Sequence, residues 1–158
     1  MTTPPPDLVA LAQQLAKSEG LDPALVCAVI EQESAWNPWA MRFEPAFFAR
    51  YIATMYASGA ITATEAYQRA YSWGLMQVMG QVARENHYTA TYLSQLCDPR
   101  DGVSVGCVVL KVKLRAAGGD VRKGLLLWNG GGNPSYPDEV LARIKNYAPA
   151  PAGTDAGP

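Results

Sequence analysis

Helix-starting and helix-stopping residues alternate at short intervals along this 158-residue chain, and that punctuation favours a bundle of short helices. Asp7 precedes Leu8, Leu11 and Leu15 at helical spacing, and Gly20 closes the run. Asp22 and Pro23 form an N-cap and first-position pair that opens a second helix through Ser34. Pro45 begins a third, to Ala57, with Phe47, Phe48, Tyr51, Ile52 and Met55 on an aromatic-rich face and Gly59 as its stop. Shorter helices are expected over 64–71, 81–85 and 89–96. A longer one runs from Asp101 to Ala116, ahead of Gly118 and Gly119. Asp120 caps another to Trp128, which stops at Asn129-Gly130-Gly131-Gly132, and Pro137 opens the last, to Tyr147. No run alternates convincingly with the period of two that marks a half-buried strand. The expected class is mainly α with minimal β structure. A single helical domain covers 7–148, followed by a Pro/Ala/Gly-rich tail over 149–158 that is expected to be disordered.

The composition is that of an ordinary globular protein, with 49% hydrophobic and 17% charged residues. A net charge of −1 and a pI near 5.8 give no global field for binding nucleic acid, so an anionic polymer would have to be held by local chemistry. No stretch approaches the roughly 20 apolar residues that span a bilayer. The N-terminal Met1-Thr2-Thr3-Pro4-Pro5-Pro6-Asp7 lacks the positive region of a signal peptide, so the expectation is synthesis in the cytoplasm without one. Cys27, Cys97, Cys107 and His87 form no metal-ligand spacing. Cys27 reads as a small buried apolar residue, and Cys97 and Cys107 could pair only in an oxidising compartment.

The second helix carries the most informative carboxylate. At about 100° per residue with Val26 at zero, Val29 falls near −60°, Ile30 near +40° and Glu33 near −20°. Glu33 therefore projects from the middle of an apolar stripe, whereas Glu31, near +140°, lies toward the opposite side. A carboxyl group at the end of an apolar face is partly desolvated, and its raised pKa suits a general acid. The same position also fits a helix-end glutamate that turns to solvent or pairs with a base.

The surroundings of Glu33 add a resemblance. Glu33-Ser34-Ala35-Trp36-Asn37-Pro38-Trp39-Ala40 resembles the Glu-Ser-x-x-(Asn/Asp)-Pro-x-Ala motif of soluble lytic transglycosylase domains, relatives of goose-type lysozyme. Gly74-Leu75-Met76-Gln77 resembles their Gly-Leu-Met-Gln signature. Leu96-Cys97-Asp98-Pro99 with Gly106, Trp128-Asn129-Gly130-Gly131, and Tyr136 with Val140 and Tyr147 are similar to their later motifs, in the same order. The resemblance implies a lysozyme-like fold whose cleft binds the N-acetylglucosamine/N-acetylmuramic acid strands of peptidoglycan, with no metal or organic cofactor. It implies Glu33 as catalytic acid/base, Ser34 beside it, and Met76 and Gln77 lining the cleft. Asn129 and Tyr136 are expected to hydrogen-bond sugar or orient Glu33. Trp128 stands where the family has Tyr, so any hydroxyl contact made there is expected to be missing, leaving Trp128 as a stacking surface or core residue. The longer segment between Pro38 and Gly74 is reminiscent of phage-encoded members, and with no export signal the expected setting is a phage lysin or virion-associated enzyme that acts on the cell wall as a monomer.

Two-carboxylate glycosidases set a second Asp or Glu across the scissile bond. A lytic transglycosylase, as the resemblance implies, manages with one: the acid protonates the glycosidic oxygen, then, as a base, activates the muramic C6 hydroxyl to give a 1,6-anhydro product. Glu44 is the nearest candidate for a second carboxylate and Glu65 another. Glu44, just before Pro45, fits a helix cap or a partner for Arg42 equally well. Transglycosylation is the first expectation, a hydrolytic muramidase using Glu44 the second, and a non-catalytic wall-binding component of a phage or secretion machine a third.

Overall fold

In a computed structural model, residues 3–148 are described, so the expected disordered tail lies outside the described residues. Helix α1 (Pro6–Ser18) and α2 (Pro23–Ser34) pack together, and α2 also meets the C-terminal α9 (Tyr136–Leu141) and a 3-10 turn, Ile144–Asn146. The long α7 (Pro99–Ala116) packs against α1 and α8 (Val121–Trp128). The main core fills the space between these helices with Val26, Val29, Ile30, Val103, Leu110, Leu125 and Val140, all buried. The α2 residues from Ala24 to Ile30 are buried without a break, so this helix is enclosed rather than merely amphipathic.

The cap signals hold in detail at α2 and α8. The Asp22 carboxylate accepts from the Ala24 N–H at 2.9 Å, and Asp120 accepts from Lys123 N–H at 3.0 Å. Elsewhere the boundaries move for identifiable reasons. The N-cap of α1 is Pro5, with Pro6 at the first helical position, so Asp7 sits inside the first turn without capping it. Helix α7 starts at Pro99 because Asp98, not Asp101, accepts from the N–H groups of Arg100 and Asp101. The helix expected over 89–96 shrinks to a 3-10 turn, Leu93–Cys97. The carbonyls of Tyr88 and Ala90 there accept instead from the Arg84 guanidinium, at 2.7 and 2.8 Å. The last expected helix ends at Leu141 and resumes only as the 3-10 turn.

A second, smaller core forms around Ile52, Ala66 and Ala70, with Phe43, Phe47, Phe48, Met55 and Ile61 packed on it. It is built by α3 (Pro45–Phe47), a π-helical turn Phe48–Ile52, α4 (Ala53–Ala57) and α5 (Ala63–Arg69). The two cores are joined by a three-stranded antiparallel sheet, β1 (Met41–Phe43), β2 (Tyr71–Trp73) and β3 (Val78–Met79), which leads into α6 (Gly80–Glu85). The sequence gives no alternation for these strands because they are only two or three residues long, too short to express a period of two. Gly74 sits at φ +68 in the β2–β3 turn, and a Cβ there would lie 2.3 Å from the Leu96 carbonyl oxygen, so only glycine fits.

The three cysteines are all free and buried, so Cys97 and Cys107 do not pair in this structure. No helix among the described residues is long and apolar enough to cross a membrane.

Candidate active site

Glu33 lies near the C-terminus of α2, where the chain must turn sharply. Ala35 and Trp36 both adopt left-handed backbone, φ 48 and 66, a costly conformation for residues with a Cβ. Burial of the Trp36 ring and donation from its indole N–H to the Tyr147 hydroxyl at 2.8 Å hold that turn in place. The turn sends the chain into β1 and across from Glu33, so α2 forms one wall of a cleft of about 420 Å³ and β1 part of the other. Arg42, Glu44 and Phe47 line the far side, Gln77, Val78 and Met79 the sheet side, and Val109, Lys113, Leu127, Trp128 and Asn129 the α7–α8 side.

Within this cleft the Glu33 carboxyl has two protein donors, and both reach the same oxygen. The Tyr136 hydroxyl donates to Oε1 at 2.5 Å and the Trp128 indole N–H donates to Oε1 at 3.0 Å. Among the described residues Oε2 has no hydrogen-bonded partner, so it is the oxygen left to carry a proton. Burial pushes the Glu33 pKa above the ordinary carboxylate range. The Tyr136 and Trp128 donors, and the Arg42 charge, oppose that shift without cancelling it. The result is an acid that stays protonated at higher pH than a solvated glutamate and whose anion already has two donors waiting. Tyr136 itself is only 3% exposed, and burial together with the nearby Glu33 pushes its phenol pKa far up, so it remains a donor.

The other expected site residues divide. Asn129 and Gln77 line the cleft with Glu33. Gln77 has φ 49, and its amide is already committed: Nε2 donates to the carbonyls of Ala40 and Gly74, both at 2.9 Å, while Oε1 accepts from the Ser72 hydroxyl at 2.9 Å. It clasps the β2–β3 turn to the chain leaving α2. Asn129 accepts through Oδ1 from the Asn133 N–H at 2.8 Å, closing the glycine turn after α8. Ser34 is next to Glu33 in sequence, but its hydroxyl donates back to the Ile30 carbonyl at 3.2 Å and not to the acid. Met76 corrects the expectation that it lines the cleft: it is 0% exposed and packs in the core, where a Cβ on Gly106 would meet its Sδ at 2.3 Å. Glu44 does reach the cleft, with its carboxylate 2.6 Å from the Arg42 Nε and no side-chain cap bond to α3. Glu65 lies elsewhere, bound to Arg69 and Arg84 at 2.8 Å each, and the Arg84 hydrogen bond above all holds its pKa below the usual range. Glu31 is not a solvated carboxylate either, since it accepts from the Tyr147 hydroxyl at 2.6 Å.

Trp128, expected to lack the hydroxyl contact and to serve as a stacking surface or core residue, supplies a polar contact through its indole nitrogen. A Trp in place of Tyr keeps a donor, and that was the signal available in the sequence. A second unanticipated feature is a clamp between α2 and α9. Glu139 accepts from the Gln32 amide at 2.7 Å and from the Asn133 amide at 3.2 Å, which ties the loop before Tyr136 to the residue beside Glu33. Its members are far apart in sequence, and no local pattern links them.

No curated protein and no solved structure in the comparison matches the chain. A family model, the transglycosylase SLT domain, matches residues 10–138, a span that carries Glu33, Gln77, Trp128, Asn129 and Tyr136. With the mainly helical fold and a half-buried acid in a lined cleft, that match establishes that the chain belongs to the SLT family of peptidoglycan lytic transglycosylases, lyases that act on the wall glycan.

Proposed function

We propose that this chain cleaves the β-1,4 bond between N-acetylmuramic acid and N-acetylglucosamine with Glu33 alone as acid and base, and leaves 1,6-anhydromuramic ends. The observation that carries this reading is the arrangement of both protein donors on Glu33 Oε1, which leaves Oε2 for the transferable proton. In the first step Oε2–H protonates the glycosidic oxygen, the bond from that oxygen to muramic C1 breaks, and the N-acetylglucosamine 4-hydroxyl departs. The substrate's own N-acetyl group supports the cationic C1. Tyr136 and Trp128 stabilise the carboxylate that remains. In the second step this carboxylate takes the proton of the muramic C6 hydroxyl as O6 bonds to C1, which returns Glu33 to its acid form. The scheme draws on no cofactor. Asn129 lines the same cleft and is assigned to hydrogen-bond sugar through its amide nitrogen, since its Oδ1 is taken by the Asn133 N–H, and Gln77 shapes the cleft through the turn it clasps.

Hydrolysis by two carboxylates is the alternative, and the place of Glu44 on the same cleft favours it. Its pairing with Arg42 argues the other way, because the guanidinium already occupies one of the two carboxylate oxygens that would attack or take up a proton. The test is Glu33→Gln, which keeps an acceptor for Tyr136 and Trp128 but has no proton to give. Release of soluble glycan from purified sacculi should fall by ~10²–10⁴ with the helical circular dichroism unchanged. A variant that keeps more than a few per cent of the turnover removes Glu33 from the role.

A further inference from the structure

Four charged side chains line the cleft: Glu33, Arg42, Glu44 and Lys113. Arg42 and Glu44 neutralise each other at 2.6 Å, and the Arg42 side chain is 75% exposed. Glu33 is uncharged when it carries the proton its proposed role requires. Lys113 is the charge left over. Its ammonium makes no ion pair or hydrogen bond among the described residues, and the side chain is half-buried, as a lysine stem laid along an apolar wall is. Its position is also unusual along α7. Lys113 follows Val109 by four residues and Leu110 by three, so it continues the helix's buried stripe, and with Val109, Leu127 and Trp128 it walls the cleft. A cation held against apolar walls, with no counter-charge of its own, is favourable ground for an anionic ligand group and is screened less than a surface charge.

We infer that Lys113 is the recognition group for a carboxylate carried by the muramic residue of the substrate, and so makes the cleft select charged glycan over neutral glycan. The inference rests on the reading that this cleft binds peptidoglycan strands. It gives the nearly neutral chain a local means of holding an anionic polymer. Two groups carry that chemistry: the lactyl carboxyl, free on peptide-stripped strands, and the carboxylates of an attached stem peptide.

The experiment measures strand affinity by calorimetry with the Glu33→Gln protein, so that nothing is turned over, and uses three probes. These are peptide-bearing strands, amidase-stripped strands with free lactyl carboxyls, and the same strands with every carboxyl converted to the methylamide. Adding Lys113→Met, which keeps the aliphatic stem, should weaken binding to carboxylate strands roughly tenfold or more and flatten its dependence on salt. Lys113→Arg should restore most of the affinity. Converting the carboxyls should weaken binding by a similar factor, and the two losses should not add, because each removes one side of a single contact. Loss on stripped strands identifies the lactyl carboxyl, whereas loss confined to peptide-bearing strands identifies the stem peptide. Equal weakening on carboxylate and methylamide strands, or no weakening on either carboxylate form, overturns the inference. Since binding is read without catalysis, neither result depends on the reaction type, and absence of strand binding by the parent protein would count against the peptidoglycan reading itself.

Discussion

Replacing Tyr136 with Phe removes one hydroxyl and leaves its ring in the core, which isolates what the 2.5 Å bond to Glu33 contributes. A hydrogen bond to a charged group is worth ~1.5–3 kcal/mol, and one to a neutral group ~0.5–1.5 kcal/mol. The difference, ~1.0–1.5 kcal/mol, favours the Glu33 carboxylate over the acid and corresponds to about one pKa unit. Tyr136 opposes the rise that burial imposes on Glu33, so its loss moves the Glu33 pKa further upward. Because the enzyme needs the protonated acid, activity falls as pH rises through that value. In Tyr136→Phe this falling limb should therefore lie about one pH unit higher, while the plateau rate drops roughly tenfold because the departing proton leaves a less stabilised anion. The stability consequence has the same sign. A carboxyl whose folded pKa is raised contributes stability that is fully present below its unfolded value, roughly 4.3, and lost as pH rises through the folded value. The variant should thus lose more melting temperature relative to wild type at pH 8 than at pH 4. The assay is a pH–rate profile of soluble muropeptide release, paired with thermal melts at both pH values. A limb that stays fixed or moves to lower pH, or a melting difference equal at both pH values, would refute the reasoning.

Gly106→Ala should destabilise the fold by ~1–3 kcal/mol by urea titration, because the added Cβ meets Met76 Sδ at 2.3 Å and its Cβ at 2.9 Å inside a filled core. Native protein should react negligibly with a thiol reagent at pH 8, and three thiols should appear on unfolding. All three cysteines are buried, and burial pushes the Cys27 and Cys107 pKa values up to about 12. Rapid labelling of a native thiol would contradict that placement.

The helical frame was readable where a single residue makes the signal, as with Asp22 at α2 and Asp120 at α8. It failed where the competing partner was remote: Arg84 takes the carbonyls that a helix over 89–96 would have used. Glu33 was legible because helical periodicity is local, and its angle on α2 separates it from Glu31 without any tertiary knowledge. Its partners were legible only in part. Tyr136 came from motif order, while the Trp128 donor contact comes from the end of α8 reaching Glu33, and the Gln32–Glu139–Asn133 clamp from the packing of α2 against α9. Met76 was misplaced because an apolar residue within a motif can serve the core beneath a cleft as easily as its surface. Lys113 is marked in the sequence only as a cation three and four residues beyond Leu110 and Val109, and it takes the burial of those two to show that it continues their stripe.

The measurement that tests the central claim most directly is mass spectrometry of the muropeptides released from purified sacculi by wild type and by Glu44→Gln. A single acid/base at Glu33 predicts 1,6-anhydromuramic ends from both proteins, with Glu44→Gln retaining substantial activity. Reducing muramic ends from wild type, together with an inactive Glu44→Gln, would contradict the account and make the reaction a two-carboxylate hydrolysis.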